Sequence, residues 1–281
     1  MNSTNNPCTM QIQHDEYMEY IMRCAHEAGF REVSMGFGSS KVFHSDGWKA
    51  EIERINDLLS KYGLRCIQTH MPYYHPLISA EEIDPTMETA LSRCLVATRM
   101  LGAKYCSCHA RSAINDNFDE KKSLEYSRLS IDKLAVEAGQ NKVYLCLENL
   151  MIYPQWRLYP NSAEALAELI DCYDSEYVGA TWDFGHAHMT KLDEPKAIKT
   201  LGKRLYTTHI HDNAQDDDSH LPPYDGTTDW ETDMNALRSI GYAGPLTMEV
   251  VYPTDEGAAE FMKKCYNRCD RLRKILHGEK Q

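Results

Sequence analysis

The chain has 281 residues, 42% of them apolar, enough for one large core or two ordinary domains. Its formal charge of −12 argues against broad attraction to phosphate backbones, and no run of Lys or Arg exceeds two residues. There is no stretch of eighteen apolar residues to span a membrane, and the N-terminus lacks the basic-then-apolar order of a secretory signal.

In chain order, a short strand is available at 8–13, ahead of a helix expected over 15–28. Further strands are expected at 32–35, 64–69, 104–108, 143–148, 178–183, 205–211 and 245–250, each separated from the next by an amphipathic stretch of helical length. Asp84 and Pro85 read as the N-cap and first position of a helix, whose stripe is Ala90, Leu91, Cys94, Leu95, Thr98 and Leu101. Gly63, Gly102, Gly139 and Gly241 are expected to end helices, and Asn161-Ser162 and Asp229 to open two more. Alternation of this kind predicts βαβ units, a parallel sheet and an α/β fold, the (β/α)8 TIM barrel, as one domain over 1–281 with flexible tails at 1–9 and 277–281. The barrel needs the strand at 8–13; an open doubly wound sheet is the alternative. The ten cysteines include no Cys-x-x-Cys pair and read as reduced, buried thiols in a cytoplasmic protein. Cys106 and Cys108 share one strand face, opposite to His109.

Metal-capable residues close successive strands. His70, His109, Glu148, Asp183, His211 and Glu249 stand 39, 39, 35, 28 and 38 residues apart, one βα unit per step. In a closed barrel they converge on the C-terminal mouth, where barrel enzymes keep their active sites. Any one of them alone would be an ordinary hydrogen-bonded loop residue. Several carboxylates buried together repel unless a cation neutralises them, so a divalent metal is expected on Glu148, Asp183, His211 and Glu249. Oxygen-rich ligation with one imidazole suits Mn²⁺, Mg²⁺ or Co²⁺, and also Zn²⁺. Glu148 and Glu249 could also serve as acid and base on opposite faces of a substrate. His70, His109, His186, Asp218 and His220 could hold further metals or bind substrate. His209, one layer below His211, reads as a hydrogen-bonded interior histidine. His75 could line the mouth. Tyr73, Tyr153, Trp156 and other aromatics crowd the same loops and suit the apolar faces of a sugar ring. Trp156, Arg157 and Arg111 are candidate substrate contacts, the last through its planar fork.

Glu148-Asn149, Asp183-x-Gly185-His186, the run His209-Ile210-His211-Asp212-Asn213, the Asp218-x-His220-Leu221-x-Pro223 loop and the terminal Glu249 resemble the xylose-isomerase-like barrel superfamily. The resemblance spans roughly residues 60–250 and has two branches. The sugar isomerase and epimerase branch implies one metal on Glu148, Asp183, His211 and Glu249. Glu148 and Glu249 then exchange a proton through a metal-stabilised enediolate, and His186 holds a substrate oxygen. The endonuclease IV branch implies three zincs, adding His70 and His109 with Glu148, and His186, Asp218 and His220, in a phosphodiesterase for abasic DNA. Gly185, the Leu150-Met151-Ile152-Tyr153 loop and the His220–Pro223 run favour the sugar branch. The expectation is a metal-dependent enzyme acting on a small-molecule carbohydrate, with a keto-sugar dehydratase or lyase as a variant of the same chemistry. A homo-oligomer is a further expectation, and neither DNA nor a membrane is the expected partner. A sugar-binding barrel without catalysis would need the core ligands to be missing, and none is.

Overall fold

The computed structural model describes residues 6–38, 41–73, 83–113, 118–153 and 157–279. Eight strands form it: β1 (Cys8–Gln13), β2 (Glu32–Gly36), β3 (Arg65–His70), β4 (Tyr105–Cys108), β5 (Tyr144–Glu148), β6 (Val178–Asp183), β7 (Leu205–Ile210) and β8 (Leu246–Met248). All neighbours are parallel, and β1 pairs with both β2 and β8, so the sheet closes into a barrel. The helices are α1 (Met18–Ala28), α2 (Lys41–His44), α3 (Trp48–Lys61), α4 (Pro85–Met100), α5 (Glu120–Asn141), α6 (Ala163–Asp171), α7 (Phe184–Thr190), α8 (Glu194–Leu201), α9 (Trp230–Ser239) and α10 (Ala258–His277). No helix among the described residues is long and apolar enough to cross a membrane.

The expected first strand is present and completes the barrel. Cys8 and Thr9, expected in a flexible tail, are buried and paired with Leu246 and Thr247. Asp84, Ser162 and Asp229 cap α4, α6 and α9, each accepting a backbone N–H of the first turn. Gly139 does not end its helix as expected. It lies within α5, which runs on to Asn141 and closes with Lys142 in the left-handed region at φ 55°.

Strand alternation sends one set of side chains to the helices and the other into the barrel. The outward set is apolar: Met10, Ile12, Val33, Met35, Leu145, Leu147 and Trp182 are fully buried. Each such side chain contributes about 1.5–3 kcal/mol by leaving water. Cys106 belongs to this set, meeting Cys94 and Thr98 of α4, so its thiol faces away from the barrel mouth. All ten cysteines are free, and only Cys172 is exposed. The inward set is polar. Ser107 Oγ lies 2.8 Å from Thr181 Oγ1, which lies 2.7 Å from Thr207 Oγ1, and Gln68 Nε2 donates to Ser107 Oγ at 2.9 Å. Branched apolar residues fill most such barrels. Here a satisfied hydrogen-bond network occupies the interior instead, directly beneath the mouth.

Candidate active site

Glu148 and Asp183 end β5 and β6, and Glu249 follows β8. Asp183 is held by Asn149, whose Oδ1 accepts from the Asp183 N–H at 2.7 Å and whose Nδ2 donates to the Asp183 carbonyl at 2.8 Å. Asp183 also caps α7, accepting from the His186 N–H at 2.7 Å. One carboxylate thus fixes the helix that carries His186.

The expected quartet named His211. The quartet that closes contains His209 instead: ligand atoms of Glu148, Asp183, His209 and Glu249 all lie within 4.8 Å of one another. His209 Nδ1 stands 2.9 Å from Glu148 Oε1, 2.8 Å from Glu249 Oε2 and 3.8 Å from Asp183 Oδ2. The reason is register: Asp183 pairs with His209 across β6 and β7, so His209 sits at the level of the carboxylates. His211, two residues further along the same face, belongs to a second cluster with His186, Asp218 and His220. Its Nε2 lies 3.0 Å from Asp183 Oδ1, and its ring stacks on His220 with centroids 3.9 Å apart. His70 and His109 form a third cluster with Glu148, their Nε2 atoms 3.2 and 3.4 Å from its Oε2.

Backbone carbonyls set the tautomers of three of these rings. His70, His186 and His220 each donate from Nδ1, to the carbonyls of Met71, Asn149 and Glu249 at 2.7, 2.8 and 2.8 Å. In the neutral ring this leaves each Nε2 a bare lone pair, His70 facing Glu148 and the other two facing Asp218.

Electrostatics follow from the crowding. Burial alone would raise the pKa of Glu148, but His209 and His109 beside it hold it well below the usual carboxylate range. Burial and His209 act in the same opposing way on Glu249, which is also lowered. His209 and His186 are raised well above the ordinary imidazole value despite burial, by the acids around them, and His220 is raised to about 9. Protons on histidines here do what a cation would do. The residues therefore fit a divalent metal: two buried carboxylates, the partly buried Glu249 and an imidazole converge, with charge that needs neutralising.

Glu148, Glu249, His70, His109, His186 and His220 face a cavity of about 560 Å³. Asp218 and Arg111 line it too, and Arg111 is buried. Asp183, His209 and His211 lie behind this lining and are fully buried. The outer wall is apolar, from Leu150, Met151 and Leu158, with Tyr73 and Tyr153. Arg157, expected at the substrate, is exposed outside the cavity with its guanidinium 6.0 Å from the Phe118 ring centroid. Trp156 and His75 lie outside the described residues. Sequence reasoning missed Gln11, whose Nε2 donates to Glu249 Oε1 at 2.5 Å, and Gln68, which reaches His209. Both sit on the inward parity of strands that were read for their ends alone.

Residues 22–267 match the sequence model of a family described as xylose isomerase-like TIM barrel. An uncharacterized protein, y4fM of Sinorhizobium fredii, is 25% identical, with 86% of this chain and 83% of that protein covered. Among solved structures, a D-tagatose 3-epimerase-like protein superposes with a TM-score of 0.75 at 17% identity, covering 96% of this chain and 98% of the other. The 3-keto-D-glucoside 4-epimerase of E. coli gives 0.74 at 17% identity, covering 94% and 99%. At such identities these likenesses concern the fold.

Proposed function

The chain belongs to the xylose isomerase-like TIM barrel family, and from that membership we propose that it is a divalent-metal-dependent isomerase or epimerase of a sugar or sugar derivative. The observation that carries the proposal is the convergence of Glu148, Asp183, His209 and Glu249 on one point, with two of the carboxylates also lining the cavity. The similarity of fold to two epimerases supports it. These four residues would hold the metal, with His209 in the place first expected for His211. When bound, a metal of the Mn²⁺, Mg²⁺, Co²⁺ or Zn²⁺ type supplies positive charge that acidifies a C–H beside a carbonyl.

The chain's own groups do the rest. Glu148 and Glu249 lie 2.9 and 2.8 Å from His209 Nδ1 and both line the cavity, and each can hold a proton taken from the substrate carbon or return one. Return to the opposite face inverts the carbon; return to its neighbour isomerises the sugar. His186, with Nδ1 committed to the Asn149 carbonyl, turns Nε2 to the cavity as a partner for a substrate oxygen. Gln11 orients the Glu249 carboxylate. Loss of a leaving group after the proton is taken, in place of its return, would make the enzyme a lyase.

The two further clusters favour a second reading, a three-metal phosphodiesterase, because each gathers the residue types that would hold a zinc. Elemental analysis of protein purified without added metal or chelator separates the readings. About one metal per chain, with deuterium wash-in at the carbon next to a ketose carbonyl, supports the sugar reading. About three zincs per chain, with cleavage of abasic DNA, replaces it.

A further inference from the structure

His209 differs from its neighbours in what its second nitrogen meets. His70, His186 and His220 each rest one ring nitrogen on a backbone carbonyl, an acceptor that cannot change. His209 Nε2 points down into the barrel, 2.9 Å from the amide nitrogen of Gln68 and 3.3 Å from Ser107 Oγ. The other end of that amide, Oε1, accepts from Thr247 Oγ1 at 2.8 Å. Gln68, Ser107, Thr247 and His209 are all fully buried, away from bulk solvent.

With the amide nitrogen toward it, Nε2 can only accept; a ring that bears hydrogen on Nε2, as imidazolium or as an Nδ1 ligand, needs the amide oxygen there instead. A ring that offers the Nδ1 lone pair to a cation carries its hydrogen on Nε2 and must donate it. Two N–H groups facing one another at 2.9 Å would leave both donors unpaired in a buried interior, which is costly. A half-turn of the amide about its last torsion removes the conflict. Oε1 then accepts from His209 Nε2–H, and Nδ1 of the ring is free of hydrogen, while the amide nitrogen donates to Thr247 Oγ1. Hydroxyls adapt to either direction by rotation, and Ser107, Thr181 and Thr207 continue the chain as hydroxyls.

We infer that Gln68 is a positioning residue for the metal site: its amide presents its oxygen to His209 Nε2–H when the ring ligates through Nδ1. The inference rests on the metal-dependent reading above. It assigns to an interior glutamine the role that a backbone carbonyl plays for the other three histidines. Ligand histidines are oriented by such partners, and loss of one lowers metal affinity by about 10–100-fold.

The test compares Gln68→Met, which keeps the volume without the amide, with Gln68→Glu, which offers only acceptors. Mn²⁺ and Zn²⁺ affinities are measured by chelator competition on the full chain. The expected result is a loss of about 10–100-fold for Gln68→Met and recovery toward wild type for Gln68→Glu. Packing alone would be satisfied by Met and disturbed by Glu, so the opposite order overturns the inference, as do equal affinities in all three proteins. A wild-type chain that binds neither metal overturns the metal-dependent reading itself. Should the variants misfold, ¹⁵N-histidine spectra of metal-loaded wild type decide. A hydrogen on His209 Nε2 that exchanges slowly with solvent is expected, and one that exchanges freely overturns the inference.

Discussion

Asp183 reaches both histidines of β7 and its C-terminal extension: Oδ1 lies 3.0 Å from His211 Nε2, and Oδ2 lies 3.8 Å from His209 Nδ1. One carboxylate therefore joins the quartet to the second cluster, and charge placed in either is felt in the other. The two histidines share a face of the chain but not a site.

This separates their variants. His209→Asn is expected to lose the metal of the quartet, and His211→Asn to keep it, in elemental analysis after dialysis against metal-free buffer. Equal loss from both would place the two rings on one ion.

Glu148→Gln and Glu249→Gln remove the proton-transfer groups while keeping shape. Each is expected to lower kcat by about 10²–10⁴-fold, the range for a positioned acid or base. Deuterium wash-in should fall in parallel, while circular dichroism shows the barrel intact. Unchanged wash-in would remove that residue from the chemistry.

Gly185 gives the His211 ring its place: a Cβ built there would meet His211 Cε1 at 1.9 Å. Gly185→Ala is expected to displace the ring and to cost about 1–3 kcal/mol by overpacking, read from urea unfolding. Full stability would mean that the ring has room to move.

Glu194 and Asp233 form a buried acid pair away from the cavity. Burial, with each carboxyl's acidic neighbours adding to it, raises Glu194 well above the usual carboxylate range and brings Asp233 to about 8. Trp182 Nε1 donates to Glu194 at 3.1 Å. Because the folded-state value is raised, the folded protein holds a proton that the unfolded chain releases. That stability is fully present below the unfolded value near 3.8 and is lost as pH rises toward about 8. The melting temperature should therefore decline across this window, and Asp233→Asn should flatten the decline. A slope unchanged in the variant would place its origin elsewhere.

Removing metal leaves the quartet carboxylates neutralised by histidine protons alone. A chelator is expected to lower the melting temperature, and Mn²⁺ or Zn²⁺ at about 100 times its Kd should restore about 2.7 kcal/mol. No shift in either direction would argue against a resident ion.

Much of this was legible from residue order. Strand and helix alternation announced the barrel, and strand ends announced Glu148, Asp183 and Glu249, because a period of two and a capping aspartate are local signals. The helix over Gly139 was misread because glycine permits an end without requiring one, and α5 continues two residues further.

The sequence by itself determined which side chains face the barrel: residues 207, 209 and 211 alternate onto the same side whatever their neighbours do. Their height along the barrel axis is another matter. Between Ala180 and Thr181 the pairing of β6 with β7 shifts, and that shift sets Asp183 opposite His209. Depth depends on the stagger of the closed sheet, a property of all eight strands together. Tertiary structure alone therefore decided that His209 joins the three carboxylates, that His211 stands with the second cluster, and that Gln68 meets His209 from within the barrel.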